Sequence, residues 1–449
     1  MKPGDPSNHE LADRPDSPLM EQPHRGGYVA SYKVLRVPDW SVLQHRDFRL
    51  LWASGGMANG CRWMEVAVLG WLILELTNSP WQVAVVGVCR SAPMLAFGLF
   101  SGLIADRMNR WSIMLLAQTS SALVTSVLLS LLLLQRIQPW QVFLGTFILG
   151  CGTILDLPSR RALIYDLVGP QHLVNAMSLE TVNNTVGKFL GPLIGGVAIA
   201  LSGFQGVYLL LSLAYLSTIV LIVQVKAAIT SPPMRVQPVW QSLVSGVRYV
   251  VHHRLVLGVL GTTMIMNALA FSYVQLLPVV ARDHLQVGPG WMGLLASADG
   301  LGTLIGVLVI AALGDVQPPG RIFLLGSCLE LVSLLAFTLS PWYGLSCALL
   351  LMVGVGNAGF STMQSTLILL AVTPNMRGRA LGIMGLCIGA TPLGLLELGA
   401  VAAAVQAPAA IGLNASAALV LLLPIIAFTP LLSGSLVPRT DESGVVAQS

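Results

Sequence analysis

The chain is 449 residues long, 55% hydrophobic and 10% charged, with a mean hydropathy of +0.76. A water-soluble protein of that size could not cover its surface with so few polar groups, so a polytopic membrane protein is implied. The formal charge of +4 reads as a membrane-topology signal and not as a nucleic-acid footprint.

Residues 1–40 are Pro-rich and polar and read as a disordered cytoplasmic tail. No cleavable signal peptide is visible, so the first span doubles as the insertion signal. A helix needs about 20 apolar residues to cross roughly 30 Å of hydrocarbon. Such runs fall at 50–74, 82–105, 112–134, 140–159, 175–201 and 205–225, which makes 41–225 a first six-helix bundle. A linker over 226–254 opens with Ser231-Pro232-Pro233 and then repeats apolar residues at helical spacing from Val239 to Val251. That pattern predicts an amphipathic helix at the cytoplasmic interface. Six further runs, at 256–281, 290–314, 322–339, 343–370, 380–403 and 408–432, place a second bundle in 255–433, followed by a polar tail over 434–449. Helices are required because lipid satisfies no bare backbone group, and the alternating pattern of an outer-membrane barrel is missing.

Of the 24 Lys and Arg, Arg62, Arg90 and Lys188 lie inside spans. With both termini in the cytoplasm, 19 others fall on that side and only Arg136 and Arg282 fall outside. Cys61, Cys89, Cys151, Cys328, Cys347 and Cys387 all lie within apolar spans without a close-spaced pair. They read as packing residues, not as disulfides or metal ligands.

The two halves echo one another. Asp106 closes the second span and Asp315 the eighth; Arg160-Arg161 precede the fifth and Arg377-Gly378-Arg379 the eleventh. Gly191-Pro192 is expected to break the fifth span and Thr391-Pro392 the eleventh. Matching features in two halves are the mark of a transporter built from repeats.

The nine residues from Gly102 to Arg110 carry a resemblance to the signature turn of the major facilitator superfamily, glycine-x-leucine-alanine-aspartate-arginine-x-x-arginine. Ile104 stands at the leucine, and Trp111 follows where a further base is usual. The resemblance implies an all-α membrane fold of twelve helices, in two six-helix bundles related by pseudo-two-fold symmetry. Phe48-Arg49-Leu50-Leu51-Trp52, Leu74 to Pro80, Asp166-Leu167-Val168 and Asn175-Ala176 are similar to drug and siderophore exporters of the macrolide-efflux and enterobactin-export type. By the same resemblance, Asp106 caps the eleventh span near Gly378 and pairs with Arg160 or Arg161. Gly102 permits close helix approach, and Arg107 and Arg110 enforce topology and complete the conformational switch. A carboxylate at a helix amino terminus stabilises it by about 0.3–1 kcal/mol. Gly187, Gly191, Pro192, Gly195 and Gly196 match the tail of the family's antiporter motif, although Ser178 replaces its leading glycine. Close helix packing alone would also explain the glycines.

An ionisable group held mid-span costs on the order of 2.5–3.5 kcal/mol, so each one needs a reason. Arg62, Glu65, Arg90, Glu180 and Lys188 are such groups in the first half; Asp299, Glu330 and Glu397 are those of the second. Arg62 and Glu65, three residues apart, share a helix face and are expected to neutralise each other. Glu65 is then either a proton-coupling carboxylate or half of a permanent structural pair. The coupling and substrate pathway is expected to include Arg62, Glu65, Arg90, Lys188, Asn183, Asn267, Asp299 and Glu397, with Trp63, Asn184, Tyr273 and Gln275 among its walls.

No phosphate-binding glycine loop is present, so the expected energy source is a proton gradient and not ATP, with no cofactor and no metal. The expected protein is a monomeric exporter of small amphipathic molecules (drug-, macrolide- or siderophore-like) in the cell membrane, working by alternating access. A facilitator or importer of a small metabolite is the alternative. A membrane-embedded enzyme would need a paired-aspartate or His-rich site, and a transport-dead scaffold is the last reading.

Overall fold

A computed structural model describes residues 40–107, 109–226, 248, 250–251, 253–313, 318–373 and 376–432; the side chains of 40–41, 98–107 and 170 are outside the described set. Both tails and nearly all of the linker, with its expected amphipathic helix, lie outside these residues, as does Asp315.

The described chain is helical throughout. Its first group is α1 (Arg46–Thr77), α2 (Pro80–Arg107), α3 (Arg110–Leu133), α4 (Pro139–Gly169), α5 (171–202) and α6 (204–223). The second is α7 (Arg254–His284), α8 (Pro289–Leu313), α9 (Pro319–Thr338), α10 (Tyr343–Ala371), α11 (Arg377–Val405) and α12 (Ala407–Phe428). Nine helices among the described residues are long and apolar enough to cross a membrane, and one of these, Gln171–Val223, divides at Gly203 into α5 and α6. α1 is polar for a span because it carries Arg62 and Glu65.

Local chemistry sets the element ends. Pro80, Pro139, Pro289 and Pro319 each open a helix, where their missing N–H leaves no broken bond. The Asn109 side chain accepts from Trp111 N and so caps α3. Gly169 (φ +70°) and Gly203 (φ +65°) turn the chain at either end of α5, in a left-handed conformation that glycine adopts without strain.

Two spans are irregular. α7 contains π-helical turns at Met266–Ala270 and Val280–His284, which the sequence pattern did not announce. α11 runs as Arg377–Ile388 and Thr391–Val405, interrupted just before Pro392 as expected. Pro192 behaves differently: α5 passes through Gly191-Pro192 without a non-helical residue, so the expected break there is corrected. Tight packing of α5 against α1 and α8 keeps the helix continuous around the one missing hydrogen bond.

Large apolar side chains such as Leu201, Leu325 and Leu339 point outward, as a lipid-facing girdle requires. Trp140, Trp291 and Trp342 are exposed at one end of the molecule, where short loops join α3 to α4, α7 to α8 and α9 to α10. This loop end thus carries aromatic anchors suited to a membrane interface. The opposite end is where α1 begins and α12 finishes. The two bundles meet chiefly through α5 against α8 and α11 against α2.

Candidate substrate cleft and coupling residues

α5 is the spine of the site because it carries two faces of small residues. Gly187, Gly191 and Gly195 recur every four residues and share the face turned to α1. A Cβ on them would lie 2.9 Å from Asn59 C, 2.7 Å from Gly60 O and 3.0 Å from Met64 Cγ. Gly196 faces α8 of the other bundle instead, where a Cβ would sit 2.5 Å from Pro289 O. Gly293 answers it from α8, where a Cβ would collide with Pro192 O. The motif therefore serves two interfaces, one within the first bundle and one between the bundles.

That close approach carries Lys188 across the divide. Lys188 Nζ lies 2.9 Å from Asp299 Oδ1 and 3.1 Å from Thr303 Oγ1, both on α8. It also stands 5.9 Å above the Trp63 ring, within cation–π range. Beside the pair is a narrow cleft with enclosed room for little more than a water-sized guest, lined by Trp63, Val66, Pro192, Val274, Leu277 and Met292 among others. Apolar walls with few polar groups are the lining that a small amphipathic guest would need, given more room than this closed arrangement leaves.

Glu65 is only 2% exposed and lies deep in the first bundle. Its expected neutralisation by Arg62 is corrected: Arg90 of α2 approaches one carboxylate oxygen at 3.1 Å, and Tyr215 of α6 donates to the other at 2.8 Å. Arg62 turns away and donates to Asn59 Oδ1 at 2.6 Å and Asn184 Oδ1 at 2.7 Å. Glu65 thus takes both partners from other helices, while Arg62 is held by Asn59 one turn back on α1 and by Asn184 of α5. Tyr215 was missed in the sequence, although it is one of only two tyrosines, with Tyr208, within the apolar sixth span.

The other candidates scatter. Asn183 is buried and donates to Trp52 O at 2.8 Å, a contact that ties α5 to α1. Asn267 donates to Thr263 O within α7. Glu397 is exposed on α11 and accepts from Asn414 Nδ2 at 2.8 Å, away from the cleft-lining residues.

The signature turn is only partly in view. Gly102, Asp106 and Arg107 belong to the end of α2 whose side chains are outside the described set, and so is the expected contact of Asp106 with α11. Arg160 is committed elsewhere: it is 2% exposed, pairs with Asp156 at 3.2 Å, and donates to Leu51 O and Ser54 Oγ of α1. Arg161 is exposed, and Arg110 pairs with Asp166 at the end of α4.

Hydrogen bonds between the bundles among the described residues lie at mid-height or toward the loop end. Besides Lys188 with Asp299 and Thr303, Gln275 donates to Val83 O at 3.1 Å. Arg282 donates to Leu74 O and Asn78 Oδ1 at 3.1 and 2.9 Å. Toward the terminal end, added Cβ atoms at Gly378, Gly382 and Gly385 of α11 would meet nothing within 4 Å.

Two helical bundles closing on an amphipathic cleft define a multi-pass membrane transporter of the major facilitator type, built for small-molecule substrates. The chain belongs to the transmembrane secretion effector family, which it matches over residues 37–442. It is 28% identical over 374 residues to the enterobactin exporter EntS of Shigella boydii serotype 18, covering 78% of this chain and 86% of that protein. EntS of Escherichia coli O157:H7 matches to the same extent. A peptide transporter, POT, in complex with sulfate superposes with a TM-score of 0.73 at 15% identity, covering 87% of this chain and 95% of that one. A bacterial homolog of the human lysosomal transporter Spinster, inward-facing and unoccupied, gives 0.68 at 14%, with 87% and 97% covered. These two structures share the fold. The relatives named here are transporters, and none is an enzyme.

Proposed function

We propose that this chain is a proton-coupled exporter of small amphipathic molecules that works by alternating access across the cell membrane, with both termini in the cytoplasm. The observation that carries the reading is the uneven closure of the two bundles. Among the described residues, bonds between them run from Lys188–Asp299 to the loop end, while a Cβ added at Gly378, Gly382 or Gly385 of α11, toward the terminal end, would meet no described atom within 4 Å. One-sided closure around a midplane cleft is what a transporter presents in one of its two alternating states. With the positive-inside assignment, the open side is the cytoplasm, from which an exporter loads.

The coupling carboxylate in this reading is Glu65. Its two partners come from α2 and α6, so protonation would release the ion pair with Arg90 of α2 while the carboxyl can still accept from Tyr215 of α6. The likeness to enterobactin exporters supports the export direction and an amphipathic cargo.

Reconstitution of the full chain in proteoliposomes tests this, with a panel of macrolides, other amphipathic drugs and siderophores. The expected result is substrate movement without ATP that follows an imposed pH gradient and collapses with a protonophore. Flux indifferent to the gradient would make the protein a facilitator, and no flux for any substrate would remove the transport reading.

A further inference from the structure

The charges around the cleft do not balance within the first bundle. Arg90 has Glu65 and Arg160 has Asp156. Arg62, by contrast, donates to two amide oxygens, and Glu180 is linked to it only through Asn59, whose Nδ2 is 3.5 Å from Glu180 Oε1. Lys188 takes its carboxylate from the opposite bundle.

These two cations share one surface. Arg62 and Trp63 are neighbours on α1, and Asn184 and Lys188 are one turn apart on α5. Asn184 Oδ1 accepts from Arg62 at 2.7 Å and from Trp63 Nε1 at 3.3 Å, while Lys188 lies over the Trp63 ring. The result is a continuous patch of two bases and an indole. Trp63 and Lys188 line the cleft opposite Asp299, Val274, Leu277 and Met292 of the second bundle, and Arg62 stands behind them on Asn184.

Separating the bundles at this height would strip Lys188 of Asp299 and leave a desolvated ammonium, a state that costs several kcal/mol if nothing replaces the carboxylate. An anion supplies the replacement at Lys188, where Arg62 behind Asn184 adds a second positive charge to the same bundle. We propose that the cleft selects amphipathic anions, whose acidic group displaces Asp299 from Lys188 while the apolar body packs on Trp63, so that anion binding and release of the bond between bundles are one event. This deepens the exporter reading and rests on it.

The test uses purified full-length protein and two fluorescent probes that share an apolar body. Dansylglycine carries a carboxylate and dansylcadaverine an ammonium, and either accepts energy from tryptophan when bound near Trp63. Dansylglycine is expected to bind about tenfold or more tightly than dansylcadaverine, and Lys188→Gln to cost about tenfold for the anion, the size of one lost charge-assisted bond. Lys188→Arg should restore most of that affinity. Asp299→Asn should bind dansylglycine more tightly than wild type, because the competing carboxylate is gone. Misfolding can mimic the loss in Lys188→Gln but not the gain in Asp299→Asn. Preference for dansylcadaverine, wild-type anion affinity in Lys188→Gln, or weaker anion binding in Asp299→Asn would each overturn the proposal. Gradient-driven efflux without anion preference would sink this inference and leave the exporter standing. Anion preference without any flux would do the reverse.

Discussion

Glu65 and Arg90 stand 25 residues apart in sequence and 3.1 Å apart in the structure, joining the middle of α1 to the middle of α2. Arg62, only one turn from Glu65, bonds instead across to α5 through Asn184. A pair between helices can be made and broken as helices shift; a pair within one helix travels with it. That difference makes Glu65 a better coupling candidate than its spacing from Arg62 suggested.

Replacing Glu65 by Gln keeps the shape and the bond from Tyr215 but removes the titratable charge. We expect Glu65→Gln to retain substrate binding and exchange while losing accumulation driven by a pH gradient. Side-by-side exchange and gradient assays in proteoliposomes decide it, and unchanged accumulation would reduce Glu65–Arg90 to a structural pair.

Lys188 and Asp299 are both largely buried, so removing one partner leaves an uncompensated charge. Lys188→Met and Asp299→Leu should each destabilise the protein by roughly 3 kcal/mol, and the double variant by clearly less than the sum. Thermal unfolding in detergent measures this. Strict additivity would mean that the two charges do not interact.

Arg160 is a rivet between α4 and α1, since Asp156, Leu51 O and Ser54 Oγ share its guanidinium. Arg160→Gln should lower stability by about 3 kcal/mol, and Arg160→Lys should rescue only part, because an ammonium cannot reproduce the planar fork. Comparing the melting temperatures of the three proteins checks the order; full rescue by Lys would show that only the charge matters.

A side chain at Gly196 cannot be accommodated without moving α8, since even a Cβ lies 2.5 Å from Pro289 O. Gly196→Leu is therefore expected to hold the bundles apart at the loop end and abolish transport while the protein still inserts. Spin labels on the loop ends of α5 and α8 should report a longer, single distance, and a wild-type distance distribution would refute the claim. Gly187→Leu acts on α1 and should instead weaken the first bundle.

Much of this protein was legible in one dimension. Apolar runs marked most spans to within a few residues because hydrocarbon thickness sets helix length, although α4 continues to Gly169, past its expected end at 159, and Thr391-Pro392 marked the interruption of α11 because proline lacks an N–H. The lone charges among apolar residues identified Lys188, Asp299, Glu65 and Arg90 as groups needing partners, since lipid offers none. Which partner each one takes was decided only by the packing of the helices. Spacing along a helix made Arg62 the obvious mate for Glu65, yet Arg90 and Tyr215 arrive from α2 and α6 with better geometry. The same glycine run that reads as one motif divides between α1 and α8, because residues four apart share a face and a residue one further turns by roughly 100°. Sequence thus determined the helical class and the apolar character of the spans, which depend on local composition. Tertiary structure alone decided the pairings, because distances between different helices follow from how their surfaces fit together and leave no period in the chain.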